Sequence, residues 1–319
     1  MQASELFNQP NTILLDGGMG TMLQAAGMKL GTRPEDLNIE NPELIRSIHA
    51  KYAAAGSRVV NANTFGASPH KLADSKYTLE EVITAGIANC KQAVAPYGAL
   101  VTLDVGPLGE LLEPSGTLAF EDAVAEYGRI VRAGVAAGAD ILYFETFTDL
   151  YEMKAALLAA KENSTLPIMA SMSFEANGRT FTGCTVESFA ATARGLGANA
   201  VGINCSLGPK EIFPMAKRLA EAVPGDFPVF VKPNAGLPRA DGSGYDITPQ
   251  LYAMQMKPYR ELHLFAAGGC CGTTPEFIQM LNGVFADCKP GRPEHPMLSV
   301  LCSPVDCVNV DGITVVGER

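Results

Sequence analysis

Eight short apolar segments recur roughly every 30 to 45 residues along this chain of 319 residues, and their spacing constrains the fold more than any other feature. The segments are Thr12–Leu15, Arg58–Val60, Leu100–Leu103, Ile141–Phe144, Ile168–Met172, Ala200–Ile203, Val229–Val231 and Leu264–Ala267. Each is continuously apolar rather than alternating, which is typical of parallel strands covered on both faces. Helical stretches separate them. We therefore predict an α/β protein built as a (β/α)8 TIM barrel, with an open doubly wound sheet as the alternative.

Helix boundaries can be read at several points between the segments. Asn41–Pro42 predicts a helix start and Gly56 the exit of the same helix. Thr274–Pro275 repeats the starting pattern after the last strand, and Phe120–Gly138 predicts a long amphipathic helix. These helices supply the alternation that the barrel requires.

The chain length fits one barrel of roughly 250 to 300 residues. We assign residues 1–286 to the barrel and residues 287–319 to a C-terminal extension. From about Asp287 the sequence is rich in proline and shows neither helical nor strand periodicity. This composition is typical of a linker or of a segment laid on the barrel surface.

Composition limits the partners and the compartment. The formal net charge is −10, so the field of the protein repels phosphate backbones and anionic lipid surfaces. The chain shows neither a basic, apolar leader nor an uninterrupted run of about 18 apolar residues. We expect a cytoplasmic protein that has neither nucleic acid nor membrane as a partner.

Three cysteines fall directly after predicted strands. Cys205 follows the sixth segment, and the adjacent Cys270 and Cys271 follow the eighth segment between glycines. Side chains at the carboxyl ends of barrel strands converge on one rim. Three thiolates with an open fourth position are typical of a zinc site that acts on a substrate. The alternative is that these cysteines are small buried apolar residues.

The remaining cysteines and the histidines give weaker signals. Eight cysteines in a chain expected to be reduced do not predict a disulfide framework. We expect plain packing or exposure for Cys90, Cys184, Cys288, Cys302 and Cys307, of which the last two have a weak metal-binding spacing. His49, His70, His263 and His295 all lie away from the rim, which argues against Ser-His or Cys-His catalysis.

Two carboxylates and a glycine-rich turn also follow predicted strands. Asp16 precedes Gly17 and Gly18 after the first segment, and Glu145 follows the fourth. Carboxylates that face an ammonium, with backbone N–H groups that face a carboxylate, suit an amino-acid ligand. The alternative is a helix cap or a buried ion pair. For Asp104, after the third segment, the two interpretations are evenly balanced.

Seven motifs together resemble the homocysteine S-methyltransferase family: DGGMGT at 16–21, NANTFGA at 61–67, GPLGELLEPSG at 106–116, FETFTDLYEMKAA at 144–156, GINCS at 202–206, KPNAG at 232–236 and GGCCGT at 268–273. Within it, the sequence is most similar to the N-terminal homocysteine-binding domain of cobalamin-dependent methionine synthases. The resemblance implies that Cys205, Cys270 and Cys271 bind Zn²⁺ and form the catalytic centre. It also implies that Asp16 and Glu145 bind the amino-acid part of homocysteine.

Further residues of these motifs are candidates for substrate binding: Gly17, Gly18, Asn63 and Asn234. Asn234 is also a candidate oxygen donor for the fourth zinc position when substrate is absent. Val315–Arg319 resembles the start of a folate-binding domain. We therefore expect cobalamin- and folate-binding domains as partners, in cis or in trans.

The function implied by the resemblance is methyl transfer to homocysteine. Zinc would hold the substrate thiolate, and methylcobalamin on a separate domain or protein, ultimately supplied by methyltetrahydrofolate, would give methionine. The nearest alternative is a stand-alone homocysteine methyltransferase that uses S-methylmethionine or betaine. A barrel with purely structural zinc and an aldolase-like enzyme with Lys232 as Schiff base are further alternatives.

Overall fold

The computed structural model describes residues 2–29, 31–239, 244–294 and 299–310. Eight parallel strands form one sheet in the order β1-β8-β7-β6-β5-β4-β3-β2. Their bounds are β1 Ile13–Leu14, β2 Val59–Asn61, β3 Leu100–Val105, β4 Ile141–Phe147, β5 Ile168–Met172, β6 Ala200–Asn204, β7 Val229–Lys232 and β8 Ala266–Ala267. Each of the eight predicted strands is present.

The sheet closes on itself between β1 and β2. A parallel bridge joins Leu15 to Val59, and the Arg58 backbone N–H donates to the carbonyl oxygen of Leu14 at 2.7 Å. The predicted (β/α)8 TIM barrel is therefore confirmed, and the open doubly wound sheet is wrong. A closed sheet brings the carboxyl ends of all eight strands to one rim.

Helices pack around the barrel between successive strands. Their bounds are α1 Met19–Ala25, α2 Leu37–Glu40, α3 Pro42–Ala54, α4 Leu79–Val94, α5 Phe120–Ala136, α6 Leu150–Asn163, α7 Val186–Gly195, α8 Pro209–Glu221, α9 Pro249–Met256 and α10 Pro275–Phe285. Short 3-10 helices cover Ala3–Asn8, Pro34–Asp36, Ala95–Tyr97 and Lys257–Leu262. None of the helices in the described ranges is both long and apolar enough to cross a membrane.

The predicted helix ends are confirmed for α3 and only partly for the others. The Asn41 side chain caps α3 by accepting from the Leu44 N–H at 3.3 Å, and Gly56 leaves the helix at φ +113°. Thr274 stands at the start of α10, but its side chain makes no capping hydrogen bond. Helix α5 ends two residues before the predicted Gly138.

The barrel interior sets the height of the polar side chains at the rim. Tyr143 on β4 and Phe230 on β7 pack edge to face inside the barrel, with ring centroids 5.5 Å apart. Side chains alternate between the two faces of a strand, so the inward residue two positions later lies nearer the rim. Glu145 follows Tyr143 in this way, and Lys232 follows Phe230. The apolar lumen thereby supports a charged mouth.

The C-terminal segment differs from its prediction as a region without periodicity. Strands β9 Val300–Cys302 and β10 Cys307–Asn309 form an antiparallel hairpin. A disulfide joins the last residue of β9 to the first residue of β10. The strand register places Cys302 opposite Cys307. The sequence favoured two unpaired cysteines with a weak metal-binding spacing, so this disulfide was missed. The Thr185 N–H donates to the Pro304 carbonyl oxygen at 3.2 Å, so the hairpin lies against the barrel surface. The tail motif Val315–Arg319 and His295 lie outside the described residues.

Candidate metal and substrate site

A cavity of about 320 Å³ opens at the carboxyl ends of the strands. Most of the predicted site residues line it: Asp16, Gly17, Gly18, Asn63, Glu145, Cys205, Cys270 and Cys271. The lining also includes Glu35, Asp104 and Lys232, which the sequence did not assign to a substrate site. The residues that were predicted from their position after the strands therefore lie in one cavity, apart from Asn234.

The three predicted thiols form one cluster. The sulfur atoms of Cys205, Cys270 and Cys271 all lie within 4.8 Å of one another, and the Cys205 and Cys271 sulfurs are 3.7 Å apart. Two sulfurs bound tetrahedrally to one zinc at about 2.3 Å would lie roughly 3.8 Å apart. All three cysteines are free thiols, and soft sulfur donors suit zinc. The donor set and its spacing therefore fit a zinc ion.

The backbone at two strand ends adopts the left-handed region to aim these groups. Cys205 and Ser206 have φ values of +64° and +62°, and Thr146 has +65°. This region costs roughly 1–2 kcal/mol for a residue with a side chain. The Cys205 N–H donates to the Lys232 carbonyl oxygen at 3.1 Å, which fixes the turn. Such outliers concentrate at functional sites, and here they carry a thiol to the cavity.

Asn204 connects the thiol cluster to the neighbouring strands. Its fully buried side chain accepts hydrogen bonds from the Thr146 N–H at 3.0 Å and the Ser171 hydroxyl at 2.8 Å. Its Nδ2 donates to the Thr146 hydroxyl at 2.7 Å and lies 3.8 Å from the Cys270 sulfur. Sequence reasoning assigned no role to this residue, although it lies in the GINCS motif directly before Cys205.

A second amide and a glycine shape the Cys270–Cys271 turn. Asn234 lies outside the cavity lining, and its Oδ1 accepts from the Cys271 N–H at 3.1 Å. Gly272 has φ +80°, and an added Cβ would lie 2.3 Å from the Cγ of Tyr245. A side chain at position 272 would therefore clash with Tyr245, which explains the glycine directly after the cysteine pair. The role of Asn234 as a fourth zinc donor stays a prediction.

The thiols share their protons as a coupled group. Hydrogen bonds from Cys205 and Cys270 lower the pKa of Cys271 to about 3. Hydrogen bonds with Cys205 and Cys271 raise the pKa of Cys270 well above its ordinary value, as do burial and the neighbouring charges. Coupled sites titrate as a unit, so the cluster holds one thiolate readily. The thiolate is the form of cysteine that binds metals.

Lys232 pairs with the two carboxylates that were assigned to the substrate. Its Nζ lies 3.0 Å from Asp16 Oδ1 and 3.4 Å from Glu145 Oε2, and all three side chains are at least nine-tenths buried. Burial lowers the pKa of Lys232, but the charges of Asp16 and Glu145 raise it well above its ordinary value. A Schiff base requires a neutral amine, so this pairing argues against an aldolase-like role for Lys232.

The carboxylates themselves are held in a low-dielectric setting. Burial raises the pKa of Asp16 and of Glu145, and the charge of Lys232 opposes that shift in both. Asp16 Oδ2 also accepts from the Asn61 N–H at 2.8 Å. The sequence offered a buried ion pair only as an alternative to substrate binding. The structure contains this ion pair, and both carboxylate residues also line the cavity.

Two other predicted substrate-binding groups donate hydrogen bonds to the protein. Asn63 Nδ2 donates to the Pro34 carbonyl oxygen at 2.7 Å and to Asn38 Oδ1 at 2.9 Å. The Gly18 N–H donates to the carbonyl oxygen and the hydroxyl of Thr273, both at 3.2 Å. These contacts position the rim turns, so Asn63 can offer its amide oxygen to a ligand but not these N–H groups.

Comparisons with known proteins agree with this geometry. A family model described as homocysteine S-methyltransferase matches residues 13–285. Methionine synthase of Mycobacterium tuberculosis is 30% identical over 330 residues, covering 95% of this chain and 27% of that protein. This chain therefore spans about a quarter of the length of that curated relative.

Solved structures of the homocysteine methyltransferase MmuM from Escherichia coli are also similar. The oxidized form matches with a TM-score of 0.76 and 25% identity, covering 88% of this chain and 98% of that one. The metallated form matches with a TM-score of 0.72 and 26% identity, covering 87% and 98% of the two chains. The similarity thus extends over nearly the whole of that protein.

Proposed function

The chain belongs to the homocysteine S-methyltransferase family, and from this premise we propose that it binds Zn²⁺ and activates homocysteine for methyl transfer. The metal ligands are Cys205, Cys270 and Cys271. The observation that carries the proposal is the cluster of three free sulfurs within 4.8 Å at the mouth of the barrel. Three protein ligands leave a fourth tetrahedral position for the substrate sulfur.

Zinc would increase the fraction of homocysteine that is present as the nucleophilic thiolate. A free thiol has a pKa near about 8.5, so only a few per cent is thiolate at neutral pH. When bound, zinc would lower the pKa of the substrate thiol and hold its sulfur as a thiolate. Asn204 and Asn234 contribute by fixing the cysteine-bearing turns, which holds the three sulfurs that would bind the metal together.

The amino-acid part of homocysteine is assigned to the same cavity. Asp16 and Glu145 supply negative charge toward the substrate ammonium, and the turn at Gly17 lies beside them as the site for its carboxylate, because the Gly18 N–H is already bonded to Thr273. Lys232 limits the repulsion between the two buried carboxylates. The product of methyl transfer to this substrate is methionine.

We assign the methyl donor to methylcobalamin, carried by a separate domain or protein and recharged ultimately from methyltetrahydrofolate. Support comes from the similarity to methionine synthase, of which this chain covers 27%. Cobalamin- and folate-binding domains, in cis or in trans, are the partners that this assignment requires. A cytoplasmic location is part of the same proposal.

A second candidate is a stand-alone methyltransferase that takes its methyl group from S-methylmethionine or betaine. The similarity to MmuM favours it, because the matched region covers 98% of that homocysteine methyltransferase. The two candidates share the zinc site and the substrate cavity. They differ only in the molecule that approaches the mouth.

X-ray absorption on the zinc-loaded protein, with and without homocysteine, tests the shared chemistry. We expect three sulfur neighbours around zinc alone and four after homocysteine is added. Zinc without sulfur neighbours would contradict the proposal. If zinc raised the melting temperature but homocysteine shifted neither the spectrum nor the melting temperature, the metal would be structural. Methionine formation with each donor separates the two candidates.

A further inference from the structure

Asp104 lines the substrate cavity and carries a buried, unpartnered carboxylate oxygen. The residue lies near the end of β3 and is only 6% exposed. Among the described residues, its Oδ1 has no hydrogen-bond partner. Its backbone is fixed, because the Asp104 N–H donates to the Thr64 hydroxyl at 3.1 Å and that hydroxyl donates to the Asp104 carbonyl oxygen at 2.8 Å. Buried polar atoms are rarely left unpaired, so this oxygen is a candidate acceptor for a hydrogen bond from a ligand.

The cavity also holds more buried acidic side chains than buried basic ones. Four buried carboxylates line the cavity, on Asp16, Glu35, Asp104 and Glu145, together with one buried ammonium, on Lys232. Lys232 Nζ contacts Asp16 and Glu145 and lies over the Tyr143 ring, 5.3 Å from its centroid. The cation is thereby engaged with two of the four carboxylates. A ligand that brings one more positive charge would reduce the imbalance.

The position of Asp104 suits the far end of a ligand held at the thiols. Cys205 follows β6 and Cys270 follows β8, so the thiols flank β7. In a closed barrel of eight strands, β3 lies four strands from β7 and therefore across the mouth. A short ligand with its sulfur at the cysteines would extend toward β3.

We propose that Asp104 accepts a hydrogen bond from the ammonium of the bound amino-acid thiol and selects substrates that carry this group. The inference rests on the proposed function and adds a specificity-determining residue to it. Asp16 and Glu145 share their charge with Lys232, whereas Asp104 Oδ1 has no partner, so Asp104 adds an acceptor to the two carboxylates already assigned to the ammonium. A charged donor and a charged acceptor form a strong hydrogen bond in such a setting.

Calorimetric titration of the zinc-loaded chain with two thiols tests this role. The thiols are L-homocysteine and 4-mercaptobutanoic acid, which has the same chain without the amine. Asp104→Asn should weaken homocysteine binding about tenfold or more and leave 4-mercaptobutanoic acid binding within about twofold of the unmodified protein. Asp74→Asn, at an exposed aspartate outside the cavity lining, is the matched control and should change neither.

The other outcomes distinguish the role of Asp104 from the proposed function. Equal loss for both thiols in Asp104→Asn, or unchanged homocysteine binding, would overturn the role of Asp104 and leave the proposed function standing. Failure of the unmodified zinc-loaded protein to bind homocysteine would overturn both. If Asp104→Asn does not fold, Asp104→Ser removes the same carboxylate with less bulk, and the same selective loss is expected.

Discussion

The side-chain oxygen of Asn234 accepts a hydrogen bond from the backbone N–H of Cys271 at 3.1 Å. On the other side of the cluster, Asn204 Nδ2 lies 3.8 Å from the Cys270 sulfur, and the Cys205 N–H bonds to the Lys232 carbonyl oxygen. Each thiol is thus tied to a neighbouring strand end rather than left on a free loop. Groups that orient metal ligands in this way contribute to metal affinity.

Asn234→Ala should lower zinc affinity by roughly 10- to 100-fold, because the Cys271 turn loses its acceptor. Competition with a chelator measures the change, and it should appear with and without homocysteine. Asn234→Asp keeps an acceptor oxygen and should lie closer to the unmodified protein. A change confined to the substrate-free protein would instead favour Asn234 as a direct zinc donor.

Replacing any one of Cys205, Cys270 and Cys271 by alanine should abolish tight zinc binding and methyl transfer, because two thiolates do not complete the site. Cys90→Ala is the control, since Cys90 is a buried thiol on α4 that does not line the cavity. It should retain zinc at the unmodified stoichiometry. Zinc content by atomic emission decides the matter, and full zinc occupancy in Cys271→Ala would count against the assignment.

The sequence predicted the frame of the site because apolar runs mark buried strands, and the residues after them must meet at one rim. That rule brought Cys205 and Cys271 together although they lie 66 residues apart in the sequence. It did not predict the pairing of Lys232 with Asp16, 216 residues away. Strand periodicity specifies which residues point inward but not which side chains bond across the lumen. The Cys302–Cys307 hairpin was missed because its short strands lie exposed and lack an apolar face pattern.

Lys232→Ala should destabilise the fold by roughly 3–5 kcal/mol, because it leaves Asp16 and Glu145 buried without their cation. Urea denaturation measures the free energy of unfolding. Lys91→Ala is the matched control, since Lys91 pairs with Asp140 at 3.1 Å but is 41% exposed. Its loss should cost no more than about 1 kcal/mol. Equal costs for the two variants would contradict the importance of the buried pairing.

Glu145→Gln should weaken homocysteine binding about tenfold and leave zinc stoichiometry unchanged. The substitution keeps the shape of the side chain but removes one negative charge from the cavity. Zinc should remain because Glu145 lies beside the thiol cluster without belonging to it. Calorimetric titration with homocysteine and metal analysis of the same sample check the two halves of this prediction. Loss of zinc would show that Glu145 supports the metal rather than the substrate.

Ser206→Gly should raise the free energy of unfolding by about 1 kcal/mol, because Ser206 adopts φ +62° and glycine has no Cβ to strain there. The gain should come with weaker zinc binding, since a glycine after Cys205 loosens the turn that aims its sulfur. Ala95→Gly is the opposite control, because Ala95 has φ −50° and glycine there should cost roughly 0.5–1 kcal/mol. If Ser206→Gly changed neither stability nor zinc affinity, the left-handed backbone at this strand end would not be strained. A gain in stability with a loss of affinity would show that the turn holds strain in order to present the thiol.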